Sequence, residues 1–180
     1  MHSVKFLNKG LNQLIIMAEE SSVQQTLILV KPDGIYRGLI GNIITRFENA
    51  GLKIVAAKMR WIDKDFSKKH YAEHLDKSFY VTLEEYITAG PVLAMVLEGV
   101  EAIAVVRKIV GSTEPKSAMP GTIRGDFAHI NMQYADKQKK AVCNIIHASS
   151  NPKDAATEIM LWFDPMDLCT YKRAGEEWIK

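Results

Sequence analysis

The chain has 180 residues, 47% hydrophobic and 24% charged, with a formal net charge of +2. That length fits one domain with a sizeable apolar core, and so even a charge balance argues against holding nucleic acid or a membrane surface by bulk charge. Two cysteines, Cys143 and Cys169, are too few for a four-cysteine zinc site or an iron–sulfur cluster, and read as free thiols in a reducing cytoplasm.

Residues 1–24 read as an N-terminal appendage and 25–180 as a single domain. The apolar run at 14–18 is far shorter than the roughly 20 residues that span a bilayer, and short for a signal-peptide core. Met17-Ala18-Glu19-Glu20 resembles an ordinary translation start, so a chain beginning at Met17 is expected to fold and keep its activity. The first strand is predicted over 25–31, a β-branched and apolar run that Pro32-Asp33-Gly34 ends as a turn. Ile43, Ile44, Phe47 and Ala50 recur at helical spacing, and Gly51 closes that helix. A second strand is predicted over 52–61, helices over 65–75 and 82–89, and a third strand over 92–97. The next helix, 101–110, carries Ile103, Val106 and Val110 on one stripe.

From 111 to 136 the periodicity fails, and Gly111, Pro115, Pro120, Gly121 and Gly125 mark a long loop. Loops of that length inside a compact domain are uncommon and often functional. A fourth strand is predicted over 142–147. Asn151-Pro152 then fits an N-cap with proline at the first helical position, opening a helix that runs to about 163. The predicted fold is α+β: a ferredoxin-like β-α-β-β-α-β antiparallel sheet with added helices and the long loop. Such a fold hosts many activities, so function has to come from the site.

No Gly-rich phosphate motif and no paired His or Cys metal spacing is present. The candidates are dispersed. Lys31 ends the first strand, Arg107 sits late in a helix, Thr113 and Arg124 lie in the long loop, and Asn144 and His147 sit in the fourth strand. Regular alternation would put Ile145 and His147 on one face of that strand. A lone histidine at a strand end is more often structural than catalytic, and surface cations are usually just solvated. Ser149 and Glu158 shift the balance for His147. A carboxylate bonded to one ring nitrogen fixes the tautomer and frees the other nitrogen as a nucleophile. Lys31, Arg107 and Arg124 each sit where an element ends or a loop turns. Phosphate needs cations converging from several elements in that way, because its charge is spread over several oxygens.

Several ordered segments carry a resemblance. They are Val-Lys-Pro-Asp-Gly at 30–34, Arg-Gly-Leu-Ile-Gly at 37–41, Lys-Lys-His-Tyr at 68–71 and Gly-Pro-Val at 90–92. Further on come Pro-Gly-Thr-Ile-Arg-Gly-Asp at 120–126, Asn-Ile-Ile-His-Ala-Ser at 144–149 and Glu-Ile-Met-Leu-Trp-Phe at 158–163. Over residues 26–171 the chain resembles the nucleoside diphosphate kinases. The resemblance implies a two-step transfer of the γ-phosphoryl group of a nucleoside triphosphate to a nucleoside diphosphate. His147 would be the phosphorylated nucleophile, oriented by Ser149 and Glu158, with Tyr71 packed nearby. Lys31 and Asn144 would hold the ribose hydroxyl end and the transferring phosphate, and Arg107, Thr113 and Arg124 the other phosphates. The long loop becomes a phosphate-binding loop. Phe79 would stack on the base with Leu83 beside it, a contact that reads no base edge. The implied cofactor is Mg2+ held mainly by nucleotide phosphates. The implied assembly is a homo-oligomer, hexamer or tetramer, in the cytoplasm.

The chain departs from the family at His147-Ala148-Ser149-Ser150, where His-Gly-Ser-Asp is usual. Ala148 would strain a backbone needing positive φ; Ser150 keeps a capping-type side chain near the next helix. Residues 128–143 form a polar connection longer than the family's by roughly ten residues. Two rival readings remain. An RNA-binding sheet would need an aromatic, basic face, which these apolar strands lack. A lapsed relative kept for assembly would be expected to have lost Lys31, Arg124 or His147, and all three are present.

Overall fold

The computed structural model describes residues 22–179. The expectation for residues 1–21 lies outside them. Four strands, β1 (Val23–Val30), β2 (Lys53–Arg60), β3 (Val92–Val100) and β4 (Ile146–Ala148), form one sheet in the order β2-β3-β1-β4. Every neighbouring pair is antiparallel. The helices are α1 (Pro32–Tyr36), α2 (Ile40–Asn49), α3 (Lys64–His70), α4 (Tyr80–Thr88), α5 (Ala102–Val110), α6 (Ile123–Phe127), α7 (Met132–Lys137) and α8 (Pro152–Trp162). This is the α+β, split β-α-β-β-α-β arrangement that the sequence predicts.

Both faces of the sheet are covered, which explains the unbroken apolar run in β1. Ile28 and Val30 join Ile43 and Phe47 of α2 and Val106 of α5 in one core layer. Leu27 and Leu29 point the other way, against Phe66 of α3, Ile87 of α4 and Trp162 of α8. β3 alternates likewise, with Met95 and Leu97 in the first layer and Ala94 and Val96 in the second. A strand with period-2 side chains between two covered faces has to be apolar at every position.

Four local differences from the sequence reading matter. β1 begins at Val23, so Val23 and Gln24, assigned to the appendage, pair with Val100 and Gly99. Pro32-Asp33-Gly34 is a short helix rather than a turn. It packs so closely on the neighbouring chain that a Cβ on Gly34 would lie 2.9 Å from Val30 Cγ1 and 3.1 Å from Ile145 Cγ2. The long loop is not structureless. It holds α6, which Thr122 caps by accepting from Gly125 N, and α7, which Asn131 caps by accepting from Tyr134 N. The strand predicted over 142–147 shrinks to Ile146–Ala148. Its expected alternation breaks at Ile145, whose φ is +70°. Ile146 N donates to Asn144 O at 2.8 Å, closing a three-residue γ-turn. A β-branched residue with positive φ is strained and persists only where neighbours fix it. Here Lys31 N donates to Ile145 O at 2.7 Å and Asp33 Oδ2 accepts from Ile145 N at 3.2 Å.

Candidate active site

His147 sits on β4 opposite Leu29 of β1, immediately after the γ-turn. Its Nε2 lies 2.9 Å from Glu158 Oε1 on α8. The other Glu158 oxygen accepts from Ser149 Oγ at 2.6 Å. Ser149 is itself tied to β1, since Leu27 N donates to its Oγ at 3.2 Å and its own N donates to Leu27 O. The ring is thus clamped through a carboxylate to the central strand. With an ionised carboxylate on Nε2, that nitrogen carries the proton and Nδ1 keeps its lone pair. Burial pushes the Glu158 carboxyl up, but the charge and hydrogen bond of His147, helped by the hydrogen bond from Ser149, outweigh it and hold the carboxyl below its usual value. His70, at the end of α3, packs edge-on against His147 at 4.8 Å. It accepts from Trp162 Nε1 at 3.2 Å. Burial, then the charge of His147, lowers the His70 pKa to about 3, so its ring stays neutral.

The cations form a connected shell around this histidine. Lys31 is only 6% exposed, and its Nζ donates to Asn144 Oδ1 at 2.8 Å. Asn144 Nδ2 in turn donates to Thr113 O at 3.0 Å. Asp33 completes the floor, accepting from Tyr86 OH at 2.5 Å as well as from Ile145 N. Arg124, on α6, donates through Nε to Asn144 O, through Nη1 to Gly111 O and through Nη2 to Ile146 O. Three of its five N–H groups therefore hold main-chain carbonyls, and two stay available to a ligand. Gly125 makes the helix fit, because a Cβ there would lie 2.1 Å from Met119 O. Arg107, on the last turn of α5, donates to Ser150 Oγ at 3.4 Å. Burial lowers the Lys31 ammonium to about 7, and the charge of Arg124 adds to the effect. Arg124 is lowered to about 10, by burial first and then by Arg107, and remains cationic at neutral pH.

These groups open onto a cavity of about 750 Å³. Every candidate from the sequence lines it except Ser149, which lies behind Glu158: Lys31, Tyr71, Phe79, Leu83, Arg107, Thr113, Arg124, Asn144, His147 and Glu158. One wall is a run of rings, with His74 between Tyr71 and Phe79. The Tyr71 hydroxyl is buried with no partner among the described residues. Burial, then the charge of Glu158, raises its pKa, so it stays a donor. Glu73 and Asp154 also line the cavity. Burial, then the charges of Glu158 and Glu73, raises the Asp154 carboxyl. Oxygen ligands facing a phosphate-sized space suit a hard divalent ion that keeps its waters. His70, His147 and Glu158 also place donor atoms within 4.8 Å of one another. Two imidazoles and one carboxylate suit zinc rather than magnesium, and the His147–Glu158 bond already satisfies the pair.

The two family departures are accommodated. Ala148 pairs with Ile28 in the sheet and does not carry a positive φ; that strain falls on Ile145. Ser150 does not cap the next helix. Asn151 does so, accepting from Asp154 N, and Ser150 accepts from Arg107 instead. The sequence reading gave His70, Asp33 and Tyr86 no role in the site, and gave Ser150 only a capping one. The first two stand inside the quoted segments 68–71 and 30–34, so position within a motif was the available signal. Tyr86 lies outside every quoted segment.

The family model described as nucleoside diphosphate kinase matches residues 24–168. A nucleoside diphosphate kinase of Pyrococcus horikoshii is 51% identical over 160 residues, covering 89% of this chain and 98% of its own. One from Listeria monocytogenes is 49% identical over 158 residues, covering 87% of this chain and 100% of its own. Among solved structures, a transition-state mimic of the Borrelia burgdorferi nucleoside diphosphate kinase with bound vanadate and ADP superposes with a TM-score of 0.85. It is 45% identical and covers 88% of this chain and 97% of its own. A Halobacterium salinarum nucleoside diphosphate kinase in complex with CDP gives 0.77 at 42% identity, covering 87% and 98%.

Proposed function

The chain belongs to the nucleoside diphosphate kinase family and transfers phosphoryl groups between nucleotides, and we propose that it does so in two steps through a phosphohistidine at His147. The observation that carries this reading is the clamp on the imidazole, with Nε2 bonded to Glu158 and Nδ1 left as the nucleophile. In the first step the Nδ1 lone pair attacks the γ-phosphorus of a nucleoside triphosphate. The bond from that phosphorus to the bridging oxygen breaks, and the nucleoside diphosphate leaves with the electron pair. Positive charge on the phosphorylated ring is balanced by Glu158, which Ser149 holds in place. In the second step a terminal oxygen of another nucleoside diphosphate attacks the same phosphorus and Nδ1 leaves.

Positioning and charge supply most of the acceleration in such transfers. Lys31 and Asn144 act at the transferring phosphate and the ribose hydroxyls. Arg107, Thr113 and the two remaining donors of Arg124 act at the other phosphates. The Tyr71 hydroxyl, buried without a partner among the described residues, is a donor toward the transferring group. When Mg2+ is bound, mainly by the nucleotide phosphates, Glu73 and Asp154 would be the carboxylates facing it, and it would supply positive charge to those phosphates.

Phe79 is 48% exposed and, with Leu83, offers the base an apolar face with no hydrogen bond to its edge. Guanine, cytosine and uracil or thymine diphosphates are all expected to be phosphorylated from ATP in a coupled assay, and adenosine diphosphate from GTP. Rate differences of about 10⁴-fold between bases belong to hydrogen-bonded discrimination and would sink this reading of the base site.

No helix among the described residues is long and apolar enough to cross a membrane. Two exposed free cysteines accord with work in a reducing cytoplasm. A homo-oligomer, hexamer or tetramer, is supported by apolar side chains on and beside edge strand β2, where Met59 and Trp61 are exposed. A monomer in sedimentation equilibrium would overturn that assembly.

A further inference from the structure

Lys31 makes no salt bridge among the described residues, although it is buried and lines a cavity built for anions. Its Nζ donates to a neutral amide oxygen, Asn144 Oδ1 at 2.8 Å, and lies 5.4 Å from the centre of the Tyr86 ring. The Asp33 oxygens accept from Tyr86 OH and Ile145 N instead. Arg124 Nε donates to the carbonyl of the same Asn144 at 3.2 Å, so a guanidinium and an amine meet on one residue. A desolvated amine beside a second cation is the arrangement that makes lysine a nucleophile, because both features disfavour the ammonium. Burial first, then Arg124, lowers the ammonium to about 7 against the opposing charges of Asp33 and Cys143, and the free amine is populated at neutral pH. Lys69, Lys140 and Lys153 also line the cavity, but all three are exposed.

We propose that Lys31 is also a Schiff-base lysine: in the nucleotide-free cavity it condenses with aldehydes that carry a phosphate group, held by Arg107, Thr113 and Arg124, and such compounds act as reversible covalent inhibitors of phosphoryl transfer. This rests on the reading of those three residues as the phosphate-binding group. The Nζ lone pair attacks the carbonyl carbon, the carbonyl π pair moves to oxygen, and one Nζ proton follows it to give a carbinolamine. The second Nζ proton leaves with that hydroxyl as water, and the C=N bond forms. Nothing is oxidised or reduced, and hydrolysis reverses the step. The phosphate supplies the selectivity. Arg107 and the two Arg124 N–H groups not engaged by main-chain carbonyls fix it close to the amine. A nucleotide excludes such a compound twice, by occupying the cations and by favouring the Lys31 ammonium with its own phosphates.

Pyridoxal phosphate, which carries an aldehyde and a phosphate on one small ring, is the probe. The protein is incubated with it at neutral pH without nucleotide, the imine is reduced with borohydride, and the labelled peptides are mapped by mass. The label is expected on Lys31 rather than on Lys69, Lys140 or Lys153. Pyridoxal, which lacks the phosphate, should need a concentration roughly 10- to 100-fold higher for the same labelling, the scale of a hydrogen bond to a charged group. ADP should protect Lys31, and the trapped protein should form no phosphoenzyme with ATP. Lys31→Met should lose the label and Lys153→Ala should keep it. Label confined to the exposed lysines, equal labelling of Lys31 by pyridoxal, or labelling that ADP does not reduce would each overturn the proposal. Phosphoenzyme formation by the untreated protein tests the two-step reading separately, so the two failures are distinguishable.

Discussion

Lys31 shows how burial and function pull on one side chain. Its ammonium is enclosed beside Arg124, and burial first, with that charge second, brings its pKa from 10.5 to about 7. The folded value is depressed below the unfolded one. Between about pH 7 and 10.5 the unfolded chain therefore holds a proton that the folded one has lost, and this group's contribution to stability rises with pH. Ligand binding runs the other way. Phosphate favours the ammonium, so a bound nucleotide raises the Lys31 pKa, and affinity should weaken as pH climbs above 7. Lys31→Met is expected to bind nucleoside diphosphates more weakly at pH 6.5 and to show a flatter affinity profile from pH 6.5 to 9. Calorimetric titrations at several pH values measure both. A variant profile as steep as the parent's would mean that other groups, the substrate phosphates included, set the dependence. Arg124 cannot take over this role, because it stays charged throughout that range.

At the scale of elements, α8 connects the core to the chemistry. Trp162 is fully buried, sits edge-on to Phe66 at 4.8 Å, and donates to His70, which packs on His147. Trp162→Ala should lower unfolding free energy by about 3–5 kcal/mol in urea titration, the usual cost of emptying so large a core site. A loss under about 1 kcal/mol would show that the site collapses without penalty. Most elements were readable from periodicity and caps: Asn151-Pro152 opens α8 and Gly51 follows α2, as predicted. Two were not. The strand predicted over 142–147 is apolar enough to pair throughout, yet the backbone of Ile145 is claimed by Lys31 and Asp33 from 112 or more positions away, and no local pattern carries that. The stretch from 111 to 136 reads as loop because α6 and α7 span 5 and 6 residues, too short for a periodic stripe.

Across the whole molecule, two covered faces of one antiparallel sheet bring residues from five separate segments into one cavity. Most candidate side chains stand in ordered motifs, while Phe79, Leu83, Arg107 and Thr113 came from position and from the resemblance as a whole; all but Ser149 line that cavity. Supporting contacts stayed hidden because they depend on tertiary placement: His70 against His147, Tyr86 beneath Lys31, and Ser150 holding Arg107. The central claim is that a phosphoryl group rests on His147 between two nucleotides. Incubating the protein with γ-labelled ATP and Mg2+, without acceptor, measures it directly. The label should be acid-labile and alkali-stable, map to the peptide holding His147 rather than Ser149 or Ser150, and disappear when a nucleoside diphosphate is added. His147→Ala should neither label nor turn over while still binding nucleotide, and Glu158→Gln should label more slowly. A His147→Ala protein that still takes up label, or turns over at a comparable rate, would contradict the account.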